Sequence, residues 1–235
     1  MSVQVLTGTS GYSYAEWKGN FYPEKMPAKD MLRFYAERFP TVEINNTFYR
    51  MPTEALLRGW AEQVPERFRF AIKASKRITH DKRLKESGEL LTYLVRTAST
   101  LGARLGPLLF QLPPNFKKDV QRLTSFLDEM PEVRRAAVEF RHASWFDDEV
   151  YAALRAHGVA LCVADTGEEP AAPLVATTDW GYLRLRREDF SDEELRDWAR
   201  RIREQPWSEA FVFLKHEEEG KVPKLAARLM ELCRE

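Results

Sequence analysis

The chain has 235 residues, 44% of them hydrophobic, which is enough to bury the core of one large domain and excludes a disordered segment or a small disulfide-stapled scaffold. Lysine plus arginine and aspartate plus glutamate number 36 each, so the formal charge is zero and no global field draws in a polyanion; anion binding has to be local. Cys162 and Cys233 share no paired spacing and read as reduced structural residues.

The first residues, to Thr9, form a strand-like stretch without a charged leader region, and no apolar run approaches the about 20 residues that span a bilayer. The expectation is a cytoplasmic protein that does not associate with membranes. Strand patterns fall at 3–8, 41–45, 68–74, 107–112, 136–141, 159–165, 181–186 and 209–215. Helical periodicity falls between them: Met31, Phe34, Tyr35 and Phe39; then Leu90, Leu91, Leu94, Val95, Ala98 and Leu101, stopping at Gly102; then Leu123, Phe126, Leu127 and Met130 before Pro131. Val150, Tyr151 and Leu154 follow, ending at Gly158. Leu195, Trp198, Ala199 and Ile202 come after a capping box of Ser191 and Glu194, and Leu225, Leu229 and Cys233 after Pro223. Neither an internal repeat nor a linker divides the chain. Eight βα units predict a single α/β domain over 1–235, a TIM (β/α)8-type barrel. The alternative, a doubly wound open sheet, lacks its Gly-rich fingerprint, because the first strand is followed by GTSGYSY.

Strand side chains alternate between faces, and catalytic groups of such a barrel sit at the C-terminal strand ends. In TVEIN the apolar Val42 and Ile44 leave Glu43 and Asn45 for the interior; in FRFAIKA, Phe68, Phe70 and Ile72 leave Arg69, Ala71 and Lys73. The same division gives Glu139 and Arg141, then Arg184 and Arg186, while Gln111 and Asp165 close their strands. The expected mouth therefore holds the carboxylates Glu43, Glu139 and Asp165 beside Lys73, Arg141 and Arg184, with Lys215 and His216 at the end of the eighth strand. Closely spaced charges of this kind either tune one another's pKa for general acid/base work or form an ion-pair lattice that fills the barrel.

Aromatic residues cluster in the loops: Tyr12, Tyr14, Trp17, Phe21 and Tyr22 after the first strand, Phe48 and Tyr49 after the second, and Trp145 after the fifth. They read as stacking faces for a sugar or base, or as packed lid residues. Thr9, Ser10 and Gly11 offer hydroxyls and backbone N–H groups to an anion. A divalent metal would draw on His142 and His216 with Glu43, Glu139 or Asp165, although the four histidines share no dedicated ligand spacing. The acidic loop 217–220 reads as solvated, and Arg200, Arg201 and Arg203 as exterior charge.

Five ordered segments, TGTSGYSYAEWKGNFYP, FPTVEINNTFYRMP, FAIKASKRITHDKRL, LLFQLPPNF and VEFRHASW, resemble the domain of unknown function 72 family, also called YecE-like, from Gly8 to about Arg186. The resemblance implies a TIM barrel and no particular reaction. The positions it marks are Thr9, Ser10, Gly11, Trp17, Glu43, Asn45, Thr47, Phe48, Tyr49, Lys73, His80, Gln111, Pro113, Glu139, Arg141, Trp145, Asp165 and Arg184. The chain departs from the family pattern at Arg184–Arg187 (RLRR) and at FLKHEEEG after the eighth strand.

The expected function is an enzyme, a hydrolase, lyase or isomerase, acting on a small anionic, phosphorylated or carboxylated, sugar-like substrate. Arg141 and Arg184 would position the anion, Glu43, Glu139 or Asp165 would move protons, and Lys73 would offset developing negative charge. Thr9, Ser10, Tyr12, Trp17, Asn45, Tyr49, His80, Gln111 and Trp145 would complete the substrate site. The alternatives are a metal-dependent phosphodiesterase or endonuclease-like enzyme binding nucleic acid, and a metabolite-binding protein without turnover.

Overall fold

In the computed structural model, which describes residues 3–168, 170–215 and 220–235, parallel strands close into a barrel in chain order. They are β1 (Gln4–Ser10), β2 (Thr41–Ile44), β3 (Arg69–Lys73), β4 (Leu105–Gln111), β5 (Ala136–Glu139), β6 (Ala160–Asp165), β7 (Trp180–Leu185) and β8 (Glu209–Leu214), with β1 paired to both β2 and β8. The expected TIM barrel is the observed fold, and the open-sheet alternative is excluded by that closure.

The outer layer holds α1 (Ala28–Ala36), α2 (Asn46–Tyr49), α3 (Glu54–Ala61), α4 (Gly88–Ala98), α5 (Val120–Asp128), α6 (Asp148–Ala156), α7 (Asp192–Arg203) and α8 (Lys221–Leu232). The expectation of eight βα units needs one correction: among the described residues no helix lies between β6 and β7. A helix that the periodicity missed, α3, joins β2 to β3; the Thr53 side chain caps it by accepting from Leu56 N at 3.3 Å, and it buries Leu57 and Trp60 one turn apart. The capping box of Ser191 and Glu194 forms at the start of α7, with Ser191 N donating to Glu194 Oε2 at 2.8 Å.

Strand alternation divides the core. Val42, Ile44, Phe70, Ile72, Phe110, Val138, Leu183 and Val212 face the helices. Leu6, Ala71, Leu109, Ala137, Ala160, Cys162, Trp180, Tyr182, Phe211 and Phe213 pack within the barrel, small residues from β3, β5 and β6 against large rings from β7 and β8. At the N-terminal end, Arg135 closes the interior by pairing with Glu209 at 2.6 Å, its guanidinium 5.7 Å from the Trp180 ring centroid. Polar side chains are thereby left the C-terminal end. No helix of the described residues is long and apolar enough to cross a membrane.

Closure is tight between β1 and β2. A Cβ on Gly8 would lie 2.1 Å from the Thr41 carbonyl oxygen, and Thr41 is held on its other side by its own Oγ1 donating to Arg69 O at 2.8 Å. Gly8→Ala is expected to cost about 1–3 kcal/mol, read as a lower urea midpoint with an unchanged slope. A parent-like midpoint would contradict this close approach.

Candidate functional site

The C-terminal ends of the strands bring Ser10, Glu43, Lys73, Gln111, Glu139 and Arg184 to one end of the interior. Backbone bonds continue beyond the strands and hold the rim. Leu112 N donates to Glu139 O at 2.9 Å, Arg186 N to Asp165 O at 2.6 Å and Lys215 N to Leu185 O at 3.0 Å. From α2, the buried Thr47 hydroxyl donates to the Lys73 carbonyl at 2.7 Å and fixes the end of β3.

Arg184 lies at the centre. Its Nη2 donates to Glu43 Oε1 at 2.9 Å and its Nη1 to Glu139 Oε2 at 2.5 Å and to Gln111 Oε1 at 3.2 Å. Glu43 also accepts from Tyr182 OH at 2.7 Å and from the Ser10 hydroxyl, while Asn45 Nδ2 donates to Ser10 Oγ at 2.6 Å. Glu139 pairs through its second oxygen with Arg141 Nε, an ionic contact that is not aligned as a hydrogen bond. Both carboxylates are fully buried, and charges so placed persist only when paired and hydrogen-bonded.

The electrostatics follow from this pairing. Burial pushes the Glu43 carboxyl upward, but Arg184, with Ser10 and Tyr182, outweighs it and leaves the pKa lowered. Burial acts the same way on Glu139, where Arg184 and Arg141 bring the value down to about 2. Arg184 is held charged: burial opposes this, and Glu139 and Glu43 overcome it. Near neutral pH the two carboxylates are anions with no proton to give and little tendency to take one.

Lys73 is in a different position. Burial and then Arg184, with a smaller contribution from Arg186, outweigh the opposing Glu43 and Glu139 and bring its pKa from 10.5 down to about 8. It makes no hydrogen bond or ion pair within 4.0 Å among the described residues; its Nζ lies 4.3 Å from the centroid of the Phe48 ring. It lines a cavity of about 520 Å³ together with Phe48, Tyr49, His80, Gln111, Arg141, Thr166, Glu168, Arg186 and Lys215. Arg141 Nη2 and Arg186 Nε are buried without a hydrogen-bond acceptor among the described residues. Glu43 and Glu139 are matched by Arg184 and Arg141, so Lys73 and Arg186 line the cavity without an ion pair among the described residues, with the Glu168 carboxylate on the same lining.

His80 reaches the cavity from a π-helical turn over Arg77–Asp81, with Nδ1 2.9 Å from Thr79 Oγ1 and its ring edge-on to Phe48 at 4.9 Å. Burial and then Lys73 lower its pKa, which favours the neutral imidazole. The loop that follows places Arg83, Leu84 and Glu86 at positive φ, conformations that cost non-glycine residues energy and persist where the surroundings impose them.

Several expected site residues lie elsewhere. Asp165 is the principal correction: Cys162 faces the barrel interior, so Asp165, three residues on, points to the helix layer, where it accepts from Arg187 Nε at 3.0 Å and Trp198 Nε1 at 3.3 Å. Thr9 also has the outward parity; its hydroxyl donates to Gly11 O and its N–H to Tyr35 OH. Trp17 is buried among Tyr14, Phe21 and Tyr22, and Trp145 is stacked on Phe140 with Nε1 donating to Phe116 O, so neither offers a face to a ligand. Tyr12 borders a separate cleft with Ser13 and Asn45. Ser10 and Asn45 serve the Glu43 carboxylate, and Arg184 gives both Nη groups to Glu43, Glu139 and Gln111, with its Nε buried and without an acceptor among the described residues. Tyr49, Gln111, Arg141 and His80 do line the cavity.

Among the described residues no three His, Cys, Asp or Glu side chains converge as a metal-ligand set. Glu43 and Glu139 are engaged by arginine, Asp165 points away, and His142 Nδ1 accepts from Ser144 N at 3.2 Å in its own turn. His216 and the acidic stretch 217–219 lie outside the described residues. Sequence reasoning placed Arg186 on the interior face by strand parity but left it out of the site, and gave no role to Glu168.

A family model described as "Protein of unknown function DUF72" matches residues 6–235. The UPF0759 protein YecE of Escherichia coli is 34% identical over 116 residues, a match covering 49% of this chain and only 43% of that protein's length. The UPF0759 protein YunF of Bacillus subtilis is 25% identical over 91% of this chain and 90% of its own. The crystal structure of a DUF72 family protein from Thermotoga maritima superposes with a TM-score of 0.88 at 30% identity, covering 99% of this chain and 100% of that one.

Arg184→Met would leave Glu43 and Glu139 buried without their shared counter-ion and is expected to cost about 3–5 kcal/mol at neutral pH, measured by urea unfolding. For Glu139 the folded-state pKa is the depressed one, so its contribution is complete above the ordinary 4.5 and is lost as pH falls toward about 2. An Arg184→Met protein as stable as the parent, or parental stability unchanged by acid over that window, would contradict the pairing.

Proposed function

This chain belongs to the DUF72 family, and from its barrel mouth we propose that it is an enzyme that holds a small anionic substrate against Arg141 and Arg186 and moves protons through Lys73. The observation that carries the reading is the pair of buried guanidinium nitrogens, Arg141 Nη2 and Arg186 Nε, without acceptors among the described residues, on two residues that line one cavity with Lys73. A phosphate or carboxylate supplies the missing acceptors, and guanidinium forks match both in geometry. The exposed Tyr49 ring gives the body of a sugar-like substrate a face to rest on.

Lys73, with a pKa of about 8, holds a proton over most of the neutral range and releases it readily, as an acid or base serving proton transfer at a bound substrate must. Glu43 and Glu139 act here as fixed counter-ions that keep Arg184 in place, not as the proton carriers. Arg184 in turn depresses the Lys73 pKa through space. The reaction classes consistent with this arrangement are isomerisation, elimination and hydrolysis.

Titration with inorganic phosphate by calorimetry tests the anion site. Arg186→Met is expected to weaken binding at least about tenfold, ~1.4 kcal/mol, with its fold verified by circular dichroism, and the parental affinity is expected to fall with added salt. Phosphate affinity equal in parent and variant would reject the site.

A further inference from the structure

We propose that Lys73 is a nucleophile that forms an imine with a small carbonyl compound carrying a carboxylate or phosphate, its Nζ attacking the carbonyl carbon while Arg141 and Arg186 hold the charged group. This rests on the anion-binding reading of the same cavity and adds to it the substrate class and the bond that forms.

The geometry separates Lys73 from a structural lysine. A buried ammonium ordinarily holds a carboxylate, yet the two carboxylates at this end of the barrel are taken by Arg184 and Arg141, and Lys73 is left without an ion pair among the described residues. Its surroundings are the Phe48 ring at 4.3 Å, the cations Arg184 and Arg186, and, beyond ion-pair distance, the carboxylates Glu43 and Glu139. The ring face and the two carboxylates favour the ammonium; burial, Arg184 and Arg186 outweigh them, and the balance yields the free amine at mildly alkaline pH. An amine desolvated beside other cations is the activated form of a lysine nucleophile. The carbonyl of a bound ligand needs no acceptor from the protein, whereas its anionic group meets the guanidinium nitrogens that lack one.

The chemistry balances without an oxidant or reductant. The neutral Nζ bonds to the carbonyl carbon, and the carbonyl π pair becomes an alkoxide that takes up a proton released by the nitrogen. The nitrogen lone pair then expels that oxygen with a second proton as water. One carbonyl and one ammonium become one iminium and one water. His80, which lines the same cavity and is biased to the neutral imidazole, is placed to relay those protons.

The test is reductive trapping of the full chain with sodium cyanoborohydride at about pH 8, the midpoint of Lys73. The probes are glyoxylate and pyruvate for the carboxylate, glycolaldehyde phosphate for the phosphate, and uncharged glycolaldehyde as control. The expected result is one reduced adduct per chain, mapped to Lys73 by peptide mass spectrometry and formed at least about tenfold faster than at any other lysine. It is lost in Lys73→Met, slowed in Arg186→Met, and slower with uncharged glycolaldehyde. The charged probe that reacts fastest identifies the anionic group. Calorimetric binding of the same probes separates two failures. Binding without an adduct at Lys73 overturns the nucleophile and leaves the anion site standing, whereas neither binding nor adduct overturns both. Equal trapping of Lys73 by charged and uncharged aldehydes overturns the assignment of an anionic substrate.

Discussion

Arg184, buried between Glu43 and Glu139, is the constraint on which the rest of the mouth depends. A guanidinium at the centre of a barrel is tolerable only because two carboxylates meet it at 2.9 and 2.5 Å and Gln111 takes a further donor bond. The carboxylates need it equally, since each is fully buried. The network ties β2, β4, β5 and β7 together across the interior, and through Ser10 and Tyr182 it reaches β1 and a second position of β7. Where apolar layers fill most barrel interiors, here an ionic layer closes the top of one.

Chemical consequences follow from that mutual pairing. By holding Glu43 and Glu139 as anions, Arg184 removes them from proton transfer; burial first, and then the nearby charge of Arg184, leaves the proton of Lys73 loosely held. Arg186 and the Nη2 end of Arg141, which lack acceptors among the described residues, belong to the lining of the cavity above. A neutral chain thus concentrates positive potential in one concave place, where the low-dielectric walls strengthen it. The π turn that carries His80 reaches this cavity, whereas Leu84 and Glu86, at positive φ in the loop that follows, line a separate cleft beside α5.

Much of this was legible in the sequence because strand alternation is a strict two-residue rule. It found the barrel and placed Glu43, Lys73, Glu139, Arg141, Arg184 and Arg186 on one side of their strands. It was misapplied at Asp165, whose place at a strand end was taken for an inward position although Cys162 already fixes the opposite parity. Pairing is not encoded in parity: that Arg184 would satisfy the carboxylates, and so serve neither as an anion clamp nor leave them free as acids, depends on residues from β2, β4 and β5 meeting in space. The loop aromatics show the same boundary. Composition marks Trp17, Tyr49 and Trp145 alike, and only packing separates the exposed Tyr49 from the buried tryptophans. The helix α3 escaped notice because its buried stripe is only Leu57 and Trp60, too short for a periodic signal.

The most direct test of the account is the ionisation of Lys73 itself, followed in the native chain by nitrogen NMR of its Nζ with the signal assigned through Lys73→Met. A midpoint near about 8 is the predicted result, with the amine losing its proton well before the surface lysines. A midpoint at the ordinary 10.5 would contradict the account, because the carboxylates would then be serving Lys73 rather than Arg184.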